Sequence, residues 1–311
     1  MVRSMFIRDP LEEIDGIPIF SKNDNYILNY CQMADDHFDH EEQVGHSPFM
    51  TGDQILDSEK VTLDFVERHL PASASILDAG VGTGAMLSKV PQYDRFGIDI
   101  ALPYLKKARQ AGITVAMSKL VDMPFYDTVF DAVSACDVLE HLLDLDASVT
   151  QLVRVLKPGG LLFVRVPNAE DLSSYVTDQQ YKYAHVRSFT VDSLRLYMEK
   201  CFGLEFLEHG YCAKSFYAAS QLINPAVPVD AAVRSVLPEL LNEAILSEGE
   251  YCDALRTLGK GFSLTYEEQV DALVLLRDNH PEFMGLAHYF VRPAELVGVF
   301  RKPAALSSEV S

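Results

Sequence analysis

Residues 76–86 read ILDAGVGTGAM, and this stretch decides the fold. The short apolar run 75–79 ends in a turn carrying Gly80, Gly82 and Gly84, and a short helix over 85–90 is expected to follow. Glycines without Cβ atoms let a backbone come close to a ligand and adopt positive φ angles at little cost. Asp99 ends the next strand, 95–100, twenty-one residues after Asp78. An acid at that place in a strand–turn–helix–strand unit can accept hydrogen bonds from both hydroxyls of a ribose.

Outward from the loop, strand and helix alternate. A helix over 103–111 begins with a proline in its first turn, strands fall at 114–118 and 130–136, and helical spacing runs through 148–156. Lys157-Pro158-Gly159-Gly160 is expected to stop that helix before a strand at 161–166. Thr190 offers an N-cap to a helix over 190–200, and strands follow at 204–209 and 296–302. Continuous apolar runs separated by helices predict a doubly wound, Rossmann-like α/β fold on a mostly parallel sheet of seven strands. The chain is expected to divide into a helical lead-in and lid at 1–70, with helices near 26–39 and 56–70, and a cofactor-binding core at 71–210. A helical insertion at 211–290 would cap the acceptor, 291–303 would form the last core strand, and 304–311 would be a disordered tail.

The 311 residues include 26 Lys and Arg against 45 Asp and Glu, a formal charge of −19. Such a surface repels phosphate backbones and anionic lipid, so neither nucleic acid nor a membrane is expected as a partner. The five cysteines are scattered without a CxxC pair, which argues against a disulfide framework or a zinc ribbon. The first residues lack the apolar core of a signal peptide, and no run approaches about 18 apolar residues, so a cytoplasmic location is expected.

Gly80, Gly82 and Ala85 also satisfy the GxGxxA form of a dinucleotide loop. Against that reading, Asp78 lies two residues before the first glycine, where its charge would repel a pyrophosphate and attract an ammonium group. The glycines are also closely spaced, and Pro91 cuts the following helix short.

LDAGVGTGA at 77–85, FGIDI at 96–100, VDMPFYDTVFDAV at 121–133, CDVLEH at 136–141 and LVRVLKPGGLLFVRVPN at 152–168 follow one another in order. In this order they resemble the motifs of the class I S-adenosylmethionine-dependent methyltransferases, most nearly the ubiquinone-biosynthesis-like small-molecule group. FRKP at 300–303 is similar to that family's final antiparallel strand. The resemblance implies S-adenosylmethionine as cofactor and transfer of its methyl group to an oxygen or nitrogen of a small-molecule acceptor. It implies that Asp78, with the backbone of the Gly80, Gly82 and Gly84 loop, holds the methionine end. Asp99 would take the ribose, Ile100 would pack on the adenine, Leu120 and Met123 would flank it, and Asp137 would lie near the methionine end and the acceptor. The family often has an acid after the third strand for the adenine amino group, where this chain has Lys119.

A hydroxyl acceptor needs a base. His185, in YKYAHVRSF, and His141, after Glu140, are the candidates, although either could simply fix its loop. Asp137, Glu140 and His141 are similar to an E-x-x-E-H cluster associated with a divalent metal in ubiquinone-biosynthesis O-methyltransferases. Carboxylates near a helix start are ordinarily structural, so no metal is expected. NYCQMADDHFDH at 29–40 resembles the family's lid helix, with Tyr30 toward the cofactor and His37 toward the acceptor; an amphipathic surface helix is the alternative. IDGIPIF at 14–20 resembles the end of a zinc ribbon that has lost its cysteines. A homodimer through the insertion is a further expectation. The competing functions are an NAD-dependent oxidoreductase, for which YKY at 181–183 offers no Tyr-x-x-x-Lys, and a cofactor-binding scaffold without turnover.

Overall fold

The computed structural model describes residues 5–44, 50, 52–170, 172, 184–216 and 291–304. Of the helical insertion expected at 211–290, residues 211–216 are strand and the rest, with the dimer contact assigned to it, lies outside the described residues, as does the expected tail 304–311 from 305 on. The chain divides into two compact units, one of residues 1–52, 58–211 and 295–311, the other of 53–57 and 212–294. In the second unit, the Ala213 amide donates to Asp57 Oδ2 at 2.8 Å.

The first unit is built on a sheet whose central strands are β3 (Ser75–Ala79), β4 (Asp94–Asp99), β5 (Thr114–Met117), β6 (Phe130–Cys136) and β7 (Leu156–Pro167). All are parallel to their neighbours in the order β5-β4-β3-β6-β7. β9 (Val291–Arg301) runs antiparallel beside β7, and β8 (Glu205–Phe216) lies beyond it. These are the seven strands and the antiparallel last strand that the sequence predicts. The apolar runs are buried on both faces: Leu77, Ile98, Val133, Leu162 and Val164 are almost wholly enclosed. Each such Leu, Ile or Val contributes roughly 1.5–3 kcal/mol on burial.

Among the described residues the sheet has two further strands, nine in all. A hairpin of β1 (Glu12–Ile14) and β2 (Ile17–Ile19) joins its free edge, where Ile19 pairs with Met117 of β5. Asp15 and Gly16 turn the hairpin with φ angles of 51° and 73°. The segment that resembles a ribbon remnant is thus a sheet edge. β7 is also longer than expected: Leu156 pairs with Phe130, then the register shifts, so Lys157–Gly160 continues the strand through an irregularity rather than ending a helix.

The helices follow their sequence signals. They are α1 (Asn25–Val44), α2 (Gly52–His69), α3 (Ala85–Ser88), α4 (Leu102–Gln110), α5 (Leu145–Val155) and α6 (Val191–Phe202). α5 starts earlier than its apolar face suggests because Asp144 caps it, accepting from the Ala147 amide at 3.0 Å. Its Val149, Leu152 and Val155 are fully buried. Thr190 caps α6 in a reciprocal box with Ser193, and Gly203 ends it in the left-handed conformation. No helix among the described residues is long and apolar enough to cross a membrane.

Candidate functional site

The site lies at the carboxyl ends of β3, β4 and β6. Gly80, Gly82 and Gly84 all have positive φ, at 87°, 52° and 79°. The three differ in what faces them. A Cβ on Gly80 would come 2.3 Å from Val138 Cγ2, and one on Gly84 would come 2.5 Å from Ile113 Cδ1 and 3.1 Å from the Ala108 Cα. A Cβ on Gly82 would meet nothing within 4 Å. Gly84 therefore serves the packing of α3 on α4, and Gly82 is the glycine whose bare side faces open space.

Asp99 reaches back to the same loop. Its Oδ2 accepts from the Gly82 amide at 2.9 Å and its Oδ1 from the Ala101 amide at 2.8 Å. A carboxylate offers about four acceptor sites, so two backbone bonds orient Asp99 and leave capacity for further donors. Burial pushes its pKa up, against the pull of these amides. Asp78 is deeper, 4% exposed, with Oδ1 accepting from Ser134 Oγ at 2.7 Å. Burial pushes its carboxyl up to about 7, and the nearby charges of Asp99 and Asp137 act in the same direction. A cation placed here would relieve that strain, whereas a second anion would add to it.

Ile100 is half-buried beside Asp99. Leu120, in the 3-10 turn Leu120–Asp122, is 8% exposed, and Met123 is enclosed in the core at 1%. Met123 is thus a wall behind the turn rather than a surface a ring could lie on. The Lys119 side chain turns away to pair with Asp24, and its amide donates to Ser21 Oγ at 2.9 Å.

Asp137 follows β6 in a left-handed conformation, φ 56°, with its amide donating to the Arg165 carbonyl at 2.9 Å. Its carboxylate is gripped by the Arg165 guanidinium, with Nη2 donating at 2.5 Å and Nε at 3.2 Å to each oxygen. Burial opposes ionisation of Asp137, yet the Arg165 charge holds its pKa below the usual value. Buried Glu295 on β9 is pushed well up by burial and by the neighbouring Asp137 charge. The sequence reading missed Arg165 and Glu295. A lone arginine inside LLFVRVP, an otherwise apolar strand, is the signal that could have found the first.

Beyond Asp137, the 3-10 turn Leu139–His141 presents Glu140 and His141. The Val186 amide donates to the Glu140 carbonyl at 2.9 Å, and the Arg187 guanidinium donates to the Leu142 carbonyl. These bonds bring His185 against His141, ring centroids 4.5 Å apart and edge to face. His185 Nδ1 lies 2.5 Å from Glu170 Oε2. Burial, then the neighbouring His185, lowers the His141 pKa to about 4, so its ring is neutral at ordinary pH. Burial, then Asp137, pushes Glu140 well above the carboxylate range. From α1, Tyr26 donates its hydroxyl to the His141 carbonyl at 3.3 Å, and the Tyr30 ring meets His141 edge-on at 5.7 Å. α1 thus reaches the site through Tyr26 and Tyr30, while His37 Nδ1 is bonded to Tyr104 Oη of α4 at 2.9 Å.

Residues 77–164 match the family model described as a methyltransferase domain. A tRNA (carboxymethyluridine(34)-5-O)-methyltransferase from Arabidopsis thaliana is 36% identical over 104 residues, 32% of this chain and 26% of that protein. A ubiquinone biosynthesis O-methyltransferase from Xylella fastidiosa is 31% identical over 121 residues, 35% of this chain and 48% of that one. The chain thus spans about a quarter to about half the length of these curated relatives. A solved complex of the Haloferax volcanii Trm112 methyltransferase activator with a methyltransferase aligns over 91% of this chain and 100% of the matched one, with a TM-score of 0.50 and 15% identity, a likeness of fold. The segment 77–164 is thus similar to a methyltransferase domain.

Proposed function

We propose that this chain moves a methyl group from S-adenosylmethionine to an oxygen or nitrogen of a small-molecule acceptor. The observation that supports the cofactor assignment is the pair of acids around the open glycine of the loop: Asp99 oriented by two amides, and Asp78 buried, its carboxyl pushed up by burial to about 7. Asp99 would accept from the ribose hydroxyls, Asp78 would face the cationic methionine end, and Gly82 would leave room between them. Ile100 and Leu120 would border the adenine; Gly80 and Gly84 shape the loop, and Met123 backs it. Asp137, fixed by Arg165, would border the methionine end. When bound, the cofactor supplies a methyl group already activated by its sulfonium. The chain's own task is then alignment, which can lower a barrier by roughly 7–11 kcal/mol.

For a hydroxyl acceptor the proton must leave, and the His141–His185 corner with Glu170 is where this chain can manage it. The charge of −19 supports a small acceptor over a polyanion. A tRNA acceptor is the second reading, favoured by relatives that are tRNA methyltransferases, and it removes support from the expectation that nucleic acid is no partner. An NAD-dependent reaction is not favoured, because Asp78 opposes a pyrophosphate and α3 has only four residues. Radiolabelled methyl donor, incubated with the protein and either a metabolite extract or deproteinised tRNA, tests these readings. Label in small molecules supports the proposal, label in RNA supports the second reading, and label in neither, despite donor binding, leaves the scaffold.

A further inference from the structure

Across the sheet Asp78 pairs with Ser134 and Ser134 with Phe163, while Arg165 pairs with Cys136 and Val297, and Pro167 with Glu295. Partners in a ladder share a face, and residues two apart along a strand return to it. Asp78, Arg165 and Glu295 therefore stand on one face, with Glu295 diagonal to Arg165 across the β7–β9 ladder and within reach of its long side chain. Asp137, one residue past β6, joins them through the Arg165 guanidinium, whose Nη1 also donates to Thr62 Oγ1 of α2 at 3.4 Å. Glu295 is 6% exposed, and its Oε2 is buried without a hydrogen-bond partner. The Asp137 side chain beside it is 34% exposed, so the group opens outward on that side.

Charge then selects the ligand. Three carboxylates face one guanidinium. Arg165 balances Asp137, and S-adenosylmethionine, with a net charge of +1, would balance Asp78. Glu295 is left over, and Asp137 and Glu140 add to the negative field around it. A buried carboxylate of this kind is stable when a cation with its own N–H donors meets it, and an anionic ligand would meet repulsion. We propose that the acceptor is a small-molecule amine, whose protonated nitrogen is received by Glu295 beside the Asp137–Arg165 pair. This rests on the methyl-transfer reading and narrows its acceptor from oxygen or nitrogen to nitrogen. The ammonium proton passes to the Glu295 carboxylate, which frees the nitrogen lone pair. That pair forms the N–C bond to the methyl group as the C–S bond breaks. Sulfur keeps the electrons of that bond as a neutral thioether, and the methylated product carries the positive charge.

The test incubates the full chain with deuteromethyl-labelled S-adenosylmethionine and a metabolite extract, and locates the label in each product by fragmentation in a mass spectrometer. Label should lie on an amine nitrogen. Glu295→Gln should raise the extract concentration needed for half-maximal rate at least about tenfold, with Glu295→Asp restoring part of the loss. Its affinity for S-adenosylmethionine in calorimetry should stay within about twofold of wild type, and a thermal melt checks that it is folded. Label on oxygen or carbon in the wild-type reaction would overturn the proposal and leave methyl transfer standing, whether or not any variant folds. Undiminished labelling by folded Glu295→Gln would overturn it as well. No label from any extract, despite donor binding, would instead overturn the methyl-transfer reading and this inference with it.

Discussion

The two acid clusters at the ends of β3, β4 and β6 are solved by opposite means. Around the glycine loop, each carboxylate has protein donors: Asp99 takes two backbone amides and Asp78 takes Ser134. Around the turn after β6, Asp137 is satisfied by a whole guanidinium, but Glu140 one turn further on has no side-chain donor among the described residues. The first cluster is preorganised by local chain geometry, because loop and acid are neighbours in the βαβ unit. The second is assembled from β6, β7, β9 and the segment around His185, and it keeps an unpaired carboxylate in the interior. Stability has been given up at one place and not at the other, and such places tend to be functional.

The contrast can be broken most forcefully at the loop. Gly84→Ala combines positive φ with a 2.5 Å approach to Ile113 Cδ1, and should destabilise the fold by about 2–5 kcal/mol in denaturant titrations. Gly82→Ala, with nothing in the way, should cost only the backbone penalty yet weaken cofactor binding. Equal stability losses in the two would refute the division of labour between these glycines. Next in size, Arg165→Met should cost about 2–3 kcal/mol by stranding Asp137, discounted because that side chain is 34% exposed. An unchanged melting curve would remove the pair from the account.

Asp99→Ala should weaken S-adenosylmethionine binding by about 1.5–3 kcal/mol in calorimetry, with little effect from Asp99→Glu on folding. Wild-type affinity in the alanine variant would take Asp99 out of the cradle. Glu140→Met should do the reverse of a usual core change and stabilise the protein at neutral pH by about 1–3 kcal/mol. The sign follows from its raised pKa: a carboxyl that resists ionisation in the fold lowers stability once pH exceeds its unfolded value. A lower melting temperature at neutral pH would show that Glu140 has a partner after all.

The smallest effect is a pH slope. Burial pushes the Asp78 carboxyl up to about 7, and a cationic ligand would lower that value. Affinity for S-adenosylmethionine should therefore fall as pH drops below about 7, by up to about 1.4 kcal/mol per unit, with proton release on binding. Flat affinity across that range, with no proton released, would separate Asp78 from the ligand's charge.

The loop cluster was legible in the sequence because its physics is local. Asp78, the glycines and Asp99 sit at fixed spacings within one supersecondary unit, and Thr190 announces α6 by its own side chain. The mostly parallel sheet was legible from its apolar runs, and its antiparallel last strand from the resemblance of the motifs to a family, whereas the strand order was not read. Three-residue strands such as β1 and β2 carry too few side chains for a period to emerge. Asp137 meets Arg165, and His185 meets Glu170, only after the chain has folded back on itself. His141 and His185 were recognisable as residues of interest, but their edge-to-face contact depends on the bond from Val186 to Glu140.

The little hairpin on the rim has a consequence for how this molecule behaves in a crowd. An uncovered parallel strand such as β5 displays amides and carbonyls that a stranger's backbone can zip onto. With Ile19 laid against Met117 and the Leu11 amide bonded to the Ile19 carbonyl at 2.8 Å, that template is already taken by the chain's own amino-terminal stretch. Clipping by a protease just after this stretch would turn a covered rim into a sticky one, and clumping would precede any loss of the central layers.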